Sequence, residues 1–188
     1  VLAVTMLVAG WMVLDPPRVR VDPWKERAFM QRLEDQGDVE RLAVRYGPRG
    51  VVEAFSGARL HDVPFLSGGT APPPVVRVLV DGHGAGSVLN VTDAAEAAVV
   101  DETLMSLPYE LLDTTRRVTL LGETDGLHTW LAIRHGAQRI DVVQPDANIV
   151  AMLGGPLRDC GGAVLQRPEV RVTVADPRNF IERAGGPF

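Results

Sequence analysis

The chain has 188 residues, room for one medium domain or two small ones, and a hydrophobic fraction of 46% that can supply a core. A formal net charge of -5 without any long basic run argues against nucleic acid as a partner. The single cysteine, Cys160, excludes a disulfide within the chain and a cysteine-built zinc site; a free thiol in a reducing compartment is the plain reading.

Residues 1–14 carry no charge. They fall short of the about 20 residues that span a bilayer, and no basic start marks a signal peptide. Three readings stay open: the tail of a transmembrane helix, a buried segment of this domain, or a signal remnant. Arg18, Arg20, Lys25 and Arg27 follow, and basic residues just after a span favour a cytoplasmic side. Pro16 and Pro17 break the run. Residues 23–33 predict a short amphipathic helix with Trp24, Ala28, Phe29 and Leu33 on its apolar face. Residues 39–46 alternate as a half-buried strand, 47–50 form a turn, and 51–55 complete an antiparallel hairpin. Residues 56–74, rich in Gly and Pro, form a long loop, and 75–80 form a third strand closed by Asp81-Gly82. The stretch Asp81-Gly82-His83-Gly84-Ala85-Gly86 lacks the Gly-Lys-Ser/Thr ending of a phosphate loop, so it is read as closing a hairpin. Residues 92–107 are predicted mostly helical, interrupted by Pro108.

From there the pattern changes. Residues 117–121 are a continuous apolar strand, as in a sheet covered on both faces. A turn at 122–126 leads to a helix at 127–135, which Gly136 ends. A strand at 139–143, a helix at 145–153 with Pro145 in its first turn, a strand at 170–174 and a helix at 177–183 follow. This alternation predicts an α/β fold: an antiparallel β-rich N-terminal module (18–105), then an incomplete Rossmann-like parallel sheet of the class I methyltransferase type (106–188). Its three strands are expected side by side, with 117–121 in the middle. Trp11, Trp24 and Trp130 are too scattered for a stacking platform and are assigned to packing.

Ligands of a parallel sheet bind beyond the C-terminal ends of its strands. After the first strand come Gly122, Asp125 and Gly126: glycine permits close backbone approach, and the next helix offers free N–H groups. After the second come Gln144 and Asp146, placed for ribose hydroxyls; after the third, Asp176, placed for a base amino group. The ordered set points to a nucleoside-bearing cofactor. His128 and His135 lie seven apart near one helix face, but no third ligand has suitable spacing, so no metal is expected.

At these residues the sequence resembles the spermidine synthase (polyamine aminopropyltransferase) family, and within it a spermidine synthase-like subgroup often fused to membrane segments. The family's Gly-Gly-Gly-Asp-Gly motif is matched at Gly122, Asp125 and Gly126, with Glu123 and Thr124 in place of the middle glycines. Its Val-Glu-hydrophobic-Asp motif is matched at Val143 and Asp146, with Gln144 where the ribose-binding Glu belongs, and its Asp-x-Arg-x-Phe stretch at Asp176, Arg178 and Phe180. The segments around Leu107-Pro108-Tyr109, Arg134 to Ala137 and Pro72 to Gly82 are similar to the fused subgroup. The resemblance implies aminopropyl transfer from decarboxylated S-adenosylmethionine to a small-molecule amine, without a metal, by a cytoplasmic domain that the N-terminal segment attaches to a membrane, and a homodimer. It puts Asp125 at the aminopropyl arm, Gln144 and Asp146 at the ribose and Asp176 at the adenine. The family's catalytic acid follows a fourth strand, expected beyond Phe188, so this fragment is expected to be inactive. The alternatives are an S-adenosylmethionine-dependent methyltransferase and a non-catalytic cytoplasmic domain of a membrane protein.

Overall fold

The computed structural model describes residues 4–6, 21–112 and 116–184. The apolar run at 1–14 lies outside them except for 4–6, a helical piece with Val4 and Met6 exposed. Among the described residues no helix is long and apolar enough to cross a membrane.

The first helix, α1 (Glu26–Gln36), ends at Gly37, whose left-handed backbone (φ 76°) lets the next amides reach the last carbonyls. It buries Met30 and Leu33. Trp24, expected on this face, precedes the helix and is 93% exposed, so it packs no core here. Strands β1 (Val39–Gly47), β2 (Gly50–Gly57), β3 (Val75–Val80) and β4 (His83–Leu89) pair antiparallel in chain order. Asp81 and Gly82 turn β3 into β4, so the glycine-rich stretch forms a hairpin. β2 is buried along Val52–Phe55, including Glu53, whose charge is held by Arg27 and Arg41, each at 3.1 Å.

Residues 96–106 form two 3-10 turns (Glu96–Glu102 and Leu104–Ser106) rather than a regular helix. Thr103 separates them in an extended conformation, its hydroxyl donating to the Val100 carbonyl. A β-branched residue with a local backbone bond competes with helix here. Pro108 does not interrupt: it lies in the first turn of α2 (Leu107–Glu110), where its missing N–H costs nothing.

The second sheet is parallel: β5 (Arg117–Leu121), β6 (Arg139–Val143) and β7 (Val170–Thr173), in that order. The expectation of β5 at the centre is corrected. Both crossovers step the same way, so β6 is central and buries Ile140, Val142 and Val143, whereas β5 is an edge. For the same reason β5 is not covered on both faces; Arg117 and Leu121 are exposed, and Val118 and Leu120 face the core only in part. α3 (Leu127–Arg134) joins β5 to β6, and α4 (Ala147–Leu153) with the turns that follow it joins β6 to β7; α5 (Pro177–Ala184) comes last.

α3 packs on β5 and β6 and also on β4, and α4 reaches β1 and β2. The two helices therefore lie between the sheets, and one continuous apolar cluster runs through both, from Met30 to Leu165. Trp130 is its anchor on α3. It is 2% exposed, with the Arg167 guanidinium 5.0 Å above its ring. Burying about 200 Å² of indole is worth about 5 kcal/mol at 25 cal/mol per Å². That anchor fixes where α3 begins, and so where the loop at 122–126 must lie.

Candidate functional site

Beyond Leu121 the chain turns out of β5 at Gly122, whose N–H donates to the Val143 carbonyl at the end of β6 (2.8 Å). Gly122 and Gly126 have φ of 83° and 86°, a region side chains rarely adopt, and a Cβ on Gly126 would lie 2.8 Å from Val164. Both motif glycines are thus required by the backbone itself. Glu123, Thr124 and Asp125 between them have no such constraint and carry side chains.

Glu123 curls its carboxylate back into the loop. Oε1 accepts the N–H groups of Thr124 (3.1 Å), Asp125 (3.4 Å) and Gly126 (3.0 Å), and Oε2 accepts the N–H and hydroxyl of Thr129 (3.2 and 3.3 Å). The side chain is 1% exposed, with His128 Nδ1 3.7 Å from Oε2. The start of α3 and the loop amides form an anion cradle, and the protein's own carboxylate fills it. Asp125 lies beside it. Its Oδ1 accepts from Leu127 N (3.0 Å) and its Oδ2 from Ser87 N on β4 (2.9 Å). Thr124 Oγ1 donates to the Ala85 carbonyl at 2.6 Å. The loop is therefore clamped to the antiparallel sheet, and a Cβ on Gly86 would fall 2.5 Å from Asp125 Oδ2.

Two buried carboxyls side by side disfavour each other's ionisation. Burial first, then the charge of Glu123, pushes Asp125 up to about 8. Burial also pushes Glu123 up, but the nearby His128 imidazole, with help from Asp125 and the Gly126 N–H, outweighs it and holds Glu123 down at about 2. The His128 imidazole is raised, chiefly by the Glu123 carboxylate beside it. Burial, and then the Glu123 charge, push the Tyr109 phenol up to about 12; its ring stacks on His135 at 4.9 Å.

Gly122, Glu123, Thr124, Asp125 and His128 form one wall of a cleft of about 530 Å³, and Gly84–Gly86 of β4 form another. Phe65 and Met105 line it from segments where the sequence showed no functional signal. Phe65 is 68% exposed and has φ 58°, an unusual conformation for a bulky residue. Arg77 reaches the cleft with its guanidinium engaged by Glu26, Asp62 and Ser87.

The other predicted residues lie outside this cleft. Gln144 is 3% exposed and spent at both ends: Nε2 donates to the Glu123 carbonyl (2.7 Å), and Oε1 accepts from Asp146 N (2.9 Å). Asp146 caps α4 through Asn148 N (2.8 Å), and Asp176 caps α5 through Asn179 N (3.1 Å). His128 and His135 do not share a partner; His135 lies 3.5 Å from Asp101. Among the described residues, Glu123, Asp125 and His128 form a trio that could hold a metal ion, with donor atoms within 4.8 Å of one another. Their carboxylate oxygens already serve the backbone amides, which accounts for the cluster without an ion.

No family profile matches the sequence, and no curated protein does. The fold is similar to that of solved spermidine synthases. The enzyme from Thermotoga maritima and a spermidine synthase in complex with the transition state analogue AdoDATO each superpose with a TM-score of 0.53 at 10% identity, over 76% of this chain and 43% of theirs. The chain spans less than half the length of these structures. At that identity the likeness is one of fold: the chain has the α/β architecture of a spermidine synthase-like domain, with the loop at 122–126 at the C-terminal end of β5.

Proposed function

We propose that the chain carries the donor site of a spermidine synthase-like aminopropyltransferase, which moves an aminopropyl group from decarboxylated S-adenosylmethionine to a small amine. One observation carries the reading: in a spermidine synthase-like fold, a loop with two positive-φ glycines leaves the first parallel strand and borders a cleft whose wall holds two carboxyl groups. In the reaction the amine nitrogen attacks the methylene attached to sulfur, the C–S bond breaks to release a thioether, and the amine loses a proton. Both partners are cations, a sulfonium and an ammonium. The ionised member of the Glu123–Asp125 pair gives the cleft the matching sign.

In this reading Gly122 and Gly126 bring the backbone against the donor, and Asp125 faces the aminopropyl arm. Asp146 and Asp176 lie outside the cleft and use Oδ1 for their helix caps, so in this reading the donor extends past the loop to meet them through Oδ2, at the ribose and the adenine. Gln144 supports the ribose side by holding the loop. The modules 18–105 and 106–188 supply the two walls of the cleft. A second reading, a non-catalytic domain that keeps the fold without the chemistry, is favoured by the same Gln144, whose amide is spent on the fold.

Titration calorimetry of the folded chain with decarboxylated S-adenosylmethionine tests the first reading. Binding of that donor supports it, and failure of both adenosyl donors to bind the correctly folded chain favours the second. If S-adenosylmethionine binds and donates a methyl group instead, the chain is a methyltransferase.

A further inference from the structure

We infer that Glu123 is the specificity-determining residue for the donor: its carboxylate fills the N–H cradle of the loop, so the site accepts an adenosyl donor that has no carboxylate of its own. The inference rests on the reading above, that the cleft takes an adenosyl donor.

Loop amides that converge at a helix N-terminus attract whichever anion is at hand, and a ligand usually supplies it. Here four N–H groups, from Thr124, Asp125, Gly126 and Thr129, and one hydroxyl are already turned onto Glu123. A ligand carboxylate entering the cradle would have to displace this side chain and leave a buried charge without partners, which is expensive. If it stopped short of the cradle, it would face the Glu123 charge across the cleft wall. The cations lining the cleft offer no relief: His128 is directed at Glu123, and the Arg77 guanidinium is engaged by Glu26, Asp62 and Ser87. An aminopropyl arm ending in an ammonium meets none of these penalties. The site thus discriminates by repulsion as well as attraction.

The test is titration calorimetry of the full chain with S-adenosylmethionine and with its decarboxylated form, on wild type, Glu123→Gln and Glu123→Gly. Wild type should prefer the decarboxylated donor by about tenfold or more. Glu123→Gly should lower that preference to within about threefold. It should also let sulfate bind at the emptied cradle, seen as amide shifts at Thr124, Asp125, Gly126 and Thr129 that wild type does not show. Glu123→Gln keeps the shape, loses the charge and should fall between; it carries the test if the glycine variant does not fold. An equal preference in wild type and folded variants would overturn the inference while leaving the donor site intact. Failure of both donors to bind correctly folded wild type would overturn the functional reading, and the inference with it.

Discussion

Gln144→Glu restores the acidic residue that the resembled family carries at the end of its second strand, and the structure predicts that it damages the fold. The Gln144 amide donates to the Glu123 carbonyl at 2.7 Å and accepts from Asp146 N at 2.9 Å, at 3% exposure. A glutamate keeps the second bond. At the first it sets oxygen against oxygen, and a buried carbonyl without its donor costs about 1–3 kcal/mol. When ionised it also adds a buried negative charge next to the loop that holds Glu123. Its folded pKa should therefore lie above the unfolded value. The folded state then binds a proton that the unfolded state has released, so the variant's deficit grows as pH rises above about 4.3. A loss of about 2 kcal/mol lowers the melting temperature of a chain this long by about 4–8 °C. Urea unfolding at pH 5 and pH 7 measures both parts. A variant as stable as wild type at pH 7 would refute the assignment of Gln144 to the loop.

Asp125→Asn should flatten the pH dependence of stability. Asp125 is raised from its ordinary 3.8 to about 8, so its contribution is full below about 4 and is lost as pH rises through 8. His128, also raised, adds loss on the alkaline side, whereas lowered Glu123 contributes above its ordinary 4.5 and loses that as pH falls toward 2. Melting temperatures across pH 5–8 should fall more steeply for wild type than for the variant, and equal slopes would count against a raised Asp125. Gly86→Ala should cost about 1–3 kcal/mol by forcing a methyl group against Asp125 Oδ2, and much less in an Asp125→Ala background. A double-mutant cycle by chemical denaturation reads the coupling, and a value near zero would detach the loop from β4.

The strands were legible because their signals are local. Alternation and turn residues located β1 to β3, and short β-branched stretches set between helices located β5 to β7, each within about two residues. Strand order was not, since no residue of β5 records on which side its neighbour lies. Exposed Trp24 misled for a related reason: periodicity identifies an apolar face only once the helix start is known, and α1 begins at Glu26. Phe65 and Met105 reach the cleft from segments with no regular pattern, and only the tertiary fold brings them to Asp125.

Position alone cannot separate ligand from cap at the strand ends. A residue just after a parallel strand is also just before the next helix, so the acid that would meet a ribose is the one best placed to bond a free helix amide. Asp146 and Asp176 both do so, through one oxygen each, and this use would select an acid there whether or not a ligand ever bound. Glu123 is different. No cap requires a side chain with five hydrogen-bond donors turned onto it, and a glycine there would leave the backbone path open and the amides free. The resemblance marked Glu123 only as a departure from a glycine motif. Its geometry makes it the residue that occupies the loop's amides, so the departure is the most informative feature of the motif.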